Sequence, residues 1–243
     1  MDFLRRALRY GLAPLVFLSL LGARPPDEGV ELSTSLGYRR TTRSAGCGRH
    51  AQVTEIPASV RLRARTHGGF TVHLEHEVAP AKTVPPPDEP PPDDAVGYHT
   101  YSTTITRFGF HDDRWGIEAG SIVQFRPSMD EPVPLPSVVL RYGVPDVVYA
   151  YGGVFPRPAM NPLEGILELG VGRAGDRWRG ELGLTYAGAR GEAEARVGRG
   201  VWVGLDGAVH AGFFTSGEPH WQGAVRLTLG PEIFEGSRAE STR

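Results

Sequence analysis

Between Gly165 and Gly230 the chain reads GILELGVGRAGDRWRGELGLTYAGARGEAEARVGRGVWVGLDGAVHAGFFTSGEPHWQGAVRLTLG. Read two residues at a time, it separates into an apolar and a polar series. Leu167, Leu169 and Val171 share one side, with Glu168 and Gly170 on the other. Trp178, Leu182, Leu184 and Tyr186 oppose Arg179, Glu181, Gly183 and Thr185, and Ala193, Ala195 and Val197 oppose Glu192, Glu194 and Arg196. Val201, Val203, Leu205, Val209 and Ala211 alternate with Asp206, Ala208 and His210. Trp221, Val225, Leu227 and Leu229 then alternate with Gln222, Ala224, Arg226 and Thr228. Successive side chains of a strand point to opposite faces, so period two over five successive segments predicts five strands, each with one apolar face.

The same period runs back through the first half. Val30, Leu32, Leu36 and Tyr38 form one face; Ile56, Ala58, Val60 and Leu62 oppose Arg61 and Arg63. Phe70, Val72 and Leu74 oppose Thr71, His73 and Glu75, while Trp115, Ile117, Ala119, Val123 and Phe125 oppose Glu118, Gln124 and Arg126. Val138, Leu140 and Tyr142 lead through a turn into Val147, Tyr149, Tyr151 and Phe155. The segment Tyr98–Phe110 is rich in Thr and Ser, and its two faces look alike.

Gly (32) and Pro (21) punctuate these runs often enough to suit short strands rather than helices. A hydrophobic content of 40 % excludes a disordered chain, and a net charge of −2 argues against a nucleic-acid partner. A single lysine, Lys82, stands among 26 basic residues; we attach no function to that bias. Cys47 is the only cysteine, so neither an intrachain disulfide nor a cysteine-based metal framework is available. Arg5, Arg6 and Arg9, the apolar run Gly11–Leu21 and the small pair Gly22-Ala23 predict a signal peptide over residues 1–23, with Leu21 an unusual residue before the cut. The barrel is expected over 24–234, and a polar tail over 235–243.

The connectors sort into two kinds. Tight turns fall at His67-Gly68-Gly69, Asp112-Asp113-Arg114, Val144-Pro145-Asp146, Ala174-Gly175-Asp176 and Arg199-Gly200. Between them lie longer connectors around Cys47, 79–96, 127–135, 156–164, 187–190 and 214–220. This alternation predicts an all-β, up-and-down antiparallel barrel of about twelve strands, ten as the lower count, with both chain ends on the tight-turn side. In this pattern residues 29–234 resemble the outer-membrane β-barrel proteins of Gram-negative bacteria, without a signature motif. Phe234 and a polar tail follow the last strand, where such barrels often end on an aromatic residue. The resemblance implies an outer-membrane location, lipid and the barrel-assembly machinery as partners, and a porin-like or structural role.

Alternation is equally compatible with a soluble, exported, lipocalin-like ligand-binding barrel with its apolar face inward. Three features favour apolar-out. Several strands reach the ~9–11 residues that cross a bilayer. Rings gather at strand ends: Phe70, Trp115 and Trp178 after tight turns, Phe108 and Phe110 before one, and Tyr38, Phe125, Phe155, Tyr186 and Phe213 near the longer connectors. The polar faces mix both charge signs. The lumen is then expected to be lined by Arg61, Arg63, Glu75, Glu118, Arg126, Glu168, Arg179, Glu181, Glu192, Glu194, Arg196, Asp206, His210 and Arg226.

No catalytic, cofactor or metal site is expected. Asp206 and His210 share a face but sit ~13 Å apart along a strand, too far for a dyad. His73, Glu75 and Glu77 share a face at a spacing of ~6.6 Å, which resists convergence on one ion. Arg61, Arg63 and Arg65 face Glu75 and Glu77 across a hairpin, which reads first as ladder stabilisation and second as a charge-selective path. The proline run Pro85–Asp94 is acidic and stiff and suits an exposed loop. Twelve strands fall between filled and open barrels. The expected function is therefore a narrow passive channel for small solutes, or a structural membrane protein.

Overall fold

The computed structural model describes residues 29–46, 49–84, 98–112, 114–125, 131–144, 147–157, 166–185, 187–210 and 220–230. The expected signal peptide, the polar tail, Cys47, the proline run, Arg126, Tyr186 and Phe213 lie outside them. The strands are β1 (Gly29–Gly46), β2 (Arg49–Glu55), β3 (Ala58–Arg65), β4 (Phe70–Val84), β5 (Tyr98–His111), β6 (Trp115–Phe125) and β7 (Val133–Val144). They continue with β8 (Val148–Val154), β9 (Leu167–Ala174), β10 (Trp178–Thr185), β11 (Gly188–Gly198), β12 (Val201–His210) and β13 (His220–Leu229).

β2 and β3 are two halves of one stave. The upper part of β1 pairs with β2 and its lower part with β3, and β4 divides itself in the same way. The break falls at Ile56-Pro57, because Pro57 has no N–H to give the ladder. Ile56 N donates instead to Pro80 O at 3.0 Å, and Pro57 O accepts from Gly37 N at 2.8 Å. The thirteen segments therefore make twelve staves, all antiparallel. β13 closes on β1 from Thr34↔Leu229 to Thr41↔Gln222, so no edge remains.

The strand ends that flank the five expected tight turns lie at one end, together with Gly29 and Gly230; Asp113, Pro145 and Asp146 of those turns lie outside the described residues. The longer connectors are shorter than their sequence suggests. Ala79–Val84 continues β4, Gly188–Arg190 opens β11, and β1 and β2 run on to within two residues of each other around Cys47. Polar and small residues in these stretches read as loop, yet a ladder partner satisfies their backbone and keeps them extended. β1, β4 and β5 consequently reach 18, 15 and 14 residues, whereas β8, β9 and β10 have 7, 8 and 8. The wall is tall on one side and low on the other.

The apolar series faces out. Leu169 is 71 % exposed, Leu182 67 % and Leu184 68 %, while their polar neighbours Glu168 and Glu194 are 3 % and 8 % exposed. Burying carboxylates while presenting leucines is favourable only where the surroundings are hydrocarbon. A lipocalin-like barrel needs the opposite arrangement. Phe70, Phe108, Phe110, Trp115, Tyr142 and Trp178 ring the tight-turn end, with the Trp115 and Tyr142 rings 4.9 Å apart; Tyr38, Phe125 and Trp221 mark the other. Tyr149 and Tyr151, grouped by sequence with the apolar face, are buried inside instead, while Val148 and Ala150 face out. In β5 the pairing decides what composition did not: Ile105 and Arg107 point in, and Thr104, Thr106, Phe108 and Phe110 point out.

Candidate functional site

Two cavities, of about 240 and 370 Å³, enter the lumen from opposite ends. The first is bounded towards its mouth by Tyr101, Gln124, Phe125, His210 and Gln222, the second by Glu31, Thr71, His111, Arg114 and Trp115. Both are lined by Arg61, Arg63, His73, Arg141, Glu181, Glu192 and Arg226. These shared residues form a belt across the middle of the barrel.

One half of the belt is organised by a residue from outside the strands. After Val154 the backbone reverses at Phe155, whose φ of +43° lies in the left-handed region that a bulky side chain seldom occupies. Phe155 N donates to Ile166 O at 2.9 Å, and Ser137 Oγ donates to Phe155 O at 2.8 Å, which fixes the reversal. Arg107 donates through Nε to Ser137 Oγ at 2.8 Å and through Nη2 to Pro156 O. Arg157 is thereby aimed into the lumen. Its guanidinium pairs with Glu181, with Glu192 at 2.9 Å and with Glu168 at 3.7 Å, and it lies 5.6 Å from the Tyr151 ring centre.

The need for Arg157 follows from register. Glu181 stands directly opposite Glu192, and Glu192 directly opposite Asp206, so three carboxylates sit side by side across β10, β11 and β12. Like charges at directly opposed positions repel. Arg157 neutralises that row, Tyr149 donates to Glu181, and Tyr151 donates to Glu168 at 2.5 Å. The tyrosine rings have room because the inward positions beside them are glycines. A Cβ at Gly170 would meet the Tyr151 ring, and one at Gly183 would meet Tyr151 and Glu168. Below this row Arg179 pairs with Glu194, Arg226 reaches Glu194 at 3.2 Å, and the Arg179 guanidinium sits 4.6 Å from the Trp202 ring centre.

On the other half, Arg61 and Glu75 are register partners and form a two-pronged pair at 2.7 and 3.1 Å. Arg39 joins Glu55 at 3.0 Å and Glu77 at 3.1 Å above them. Glu118 meets His111 at 3.2 Å and Arg141 at 3.8 Å. Arg63, beside His73 in the ladder, makes no ion pair among the described residues.

Of the residues expected from sequence, Arg61, Arg63, Glu75, Glu118, Glu168, Arg179, Glu181, Glu192, Glu194 and Arg226 line the cavities, and Asp206 and His210 line the first cavity. Arg196 sits near the Arg199-Gly200 turn, its Nε donating to Gly198 O at 3.2 Å. Asp206 and His210 remain four residues apart along β12, a strand of ten. Among the described residues no group of three His, Cys, Asp or Glu is placed to hold a metal ion. Sequence reasoning missed Arg39, Arg107, Arg141, Arg157 and Arg190, the last read as part of the 187–190 connector. Arg141 was legible from its place opposite Leu140 and Tyr142. Arg107 was hidden by the Thr-rich surroundings of β5, and nothing local marks Arg157, since a connector has no period to read.

A polar lumen entered from both ends, inside a closed apolar shell, settles the architecture. The chain has the fold of an outer-membrane β-barrel. No protein-family model and no curated protein matches the sequence. Among solved structures it is similar to the translocator domain of the autotransporter NalP from Neisseria meningitidis, at 12 % identity and a TM-score of 0.49, covering 94 % of this chain and 95 % of that one. It is also similar to the Ralstonia pickettii toluene transporter TbuX, at 10 % identity and a TM-score of 0.39, covering 92 % of each chain.

Proposed function

We propose that the protein resides in the outer membrane of a Gram-negative cell, is exported there behind its N-terminal signal peptide, and acts as a narrow passive channel for small polar solutes. The observation that carries this reading is the meeting of two cavities, one from each mouth, at a single belt of ionisable side chains. Such a belt lets water and small polar solutes approach from either end while setting the bore. Lipid, the barrel-assembly machinery and the solute are then the partners, with no nucleic acid and no catalysis.

Planar-bilayer conductance tests it. The purified protein should give small single-channel steps, and Arg157→Ala should enlarge them, because it withdraws the guanidinium that ties Glu168, Glu181 and Glu192 together. A second reading, a structural membrane protein with a sealed lumen, is favoured by the ion pairs that knit the belt. Silence from both proteins would retire the channel and leave the structural role.

A further inference from the structure

Charge is unevenly compensated around the belt. On the β9–β13 side four guanidinium groups, Arg157, Arg179, Arg190 and Arg226, stand among five carboxylates, Glu168, Glu181, Glu192, Glu194 and Asp206, and all but Arg190 form an ion pair among the described residues. On the β3–β7 side four guanidinium groups, Arg61, Arg63, Arg107 and Arg141, share the carboxylates Glu75 and Glu118, with Glu31 of β1 across the ladder from Arg63 but in no ion pair with it among the described residues. Arg61 occupies both oxygens of Glu75. Glu118 accepts from His111, and Arg141 stays 3.8 Å from it, beyond hydrogen-bond reach. Arg107 spends its donors on two neutral acceptors, Ser137 Oγ and Pro156 O.

Arg63 is left over. Among the described residues it donates no hydrogen bond and makes no ion pair, and its side chain is open to both cavities. Its ladder neighbours are Glu31 and His73, and His73 is followed in the same row by Arg107. The charges that act on Arg63 are Arg61 and Arg141 against Glu31 and Glu118, and those that act on Arg107 are Arg141 and Arg63 against Glu118 and Glu75, the last already held by Arg61. Three guanidiniums thus face one region of the first cavity with more donors than acceptors, and between low-dielectric walls such an excess calls for a counter-charge.

We propose that Arg63, flanked by Arg141 and Arg107, binds a small oxyanion on the β3–β7 wall of the lumen, either inorganic phosphate or the carboxylate group of an organic acid. The fork of N–H donors on a guanidinium matches two oxygens of a phosphate or carboxylate, and a monatomic ion uses that fork poorly. The site deepens the channel reading by naming the class of solute that pauses at the belt, yet it needs only a hydrated lumen, not conduction.

The test is isothermal titration of the full chain in detergent micelles at low ionic strength, with inorganic phosphate in one arm and succinate in the other, over a chloride background. At least one should bind saturably with a stoichiometry near one. Phosphate alone assigns an inorganic ligand, and succinate a carboxylate. Arg63→Gln should weaken binding at least tenfold, Arg63→Lys less, and Arg177→Gln, in the turn before β10, not at all. Circular dichroism shows whether each variant keeps its strands, and Arg141→Gln, with the same expected loss, stands in if Arg63→Gln does not fold. Absence of binding to the folded wild type, or equal binding by a folded Arg63→Gln or Arg141→Gln protein, overturns the site. Binding without conductance would remove the channel and keep the site; conductance without binding would do the reverse.

Discussion

Leu182 and Glu181 are adjacent in sequence and opposite in surroundings, and that contrast carries the face assignment. Leu182 looks outward at two-thirds exposure, while Glu181 meets Arg157 and Tyr149 inside. Leu182→Arg and Val203→Arg should each cost about 2–4 kcal/mol, as an arginine near the bilayer midplane does, measured by urea unfolding in lipid vesicles. Asp206→Arg should cost less, because it changes only the charge of the lumen. Glu181→Arg, which the sequence alone groups with Asp206→Arg, should instead rank with the lipid-facing changes. It sets a second cation against Arg157 and strands a partly buried network, a loss of about 3 kcal/mol. Equal damage from Leu182→Arg and Asp206→Arg would undercut the face assignment.

At the scale of elements, the β5–β6 turn is held by one carboxylate. Asp112 Oδ1 accepts from Arg114 N at 2.7 Å and from Trp115 N at 2.5 Å. These backbone donors hold the Asp112 carboxyl below the usual aspartate range. A depressed native value means that the ionised form favours folding. The contribution is present above the unfolded value of about 3.9 and disappears as pH falls through the native one. Asp112→Ala should therefore lower the unfolding midpoint at pH 7, and the gap from wild type should close below about pH 3. A gap that persists undiminished in acid would mean that the side chain acts by packing and not by charge. The Phe155–Arg157 reversal is the contrasting element: its hydrogen bonds to Ile166 and Ser137 fix it from residues distant in the chain, so no local pattern announces it.

For the whole molecule, an even number of staves returns the chain to its starting side. The connector between β4 and β5 is then on the side opposite both Gly29 and Gly230. With tight turns at the periplasm, an epitope inserted between Pro87 and Asp88 should be stained on intact cells, and one after Arg243 only after permeabilisation. Both tags reached from one side would mean that a stave does not cross. The legible part of this topology was large. Each stave had its segment in the sequence, most of them from period two, but β5 showed no distinguishable faces and β2 read as connector; the strand ends beside the five expected tight turns agree with the Gly, Pro or Asp punctuation. Misplaced ends, at Ala79–Val84 and Gly188–Arg190, are places where a ladder partner overrides weak local preference.

Period two in the sequence was enough for two unlike faces on most strands, a count of about twelve and most of the charged lumen, because a strand's side-chain period is set by its own backbone. What only the tertiary structure decided was which of those charges meet. Register places Glu181, Glu192 and Asp206 in one row, Pro57 splits a stave without ending it, and closure of β13 on β1 brings both halves of the belt around one lumen. Arg157 belongs to that second class, as does the isolation of Arg63. Whether a cation finds its counter-charge depends on neighbours dozens of residues away, and no local period encodes them.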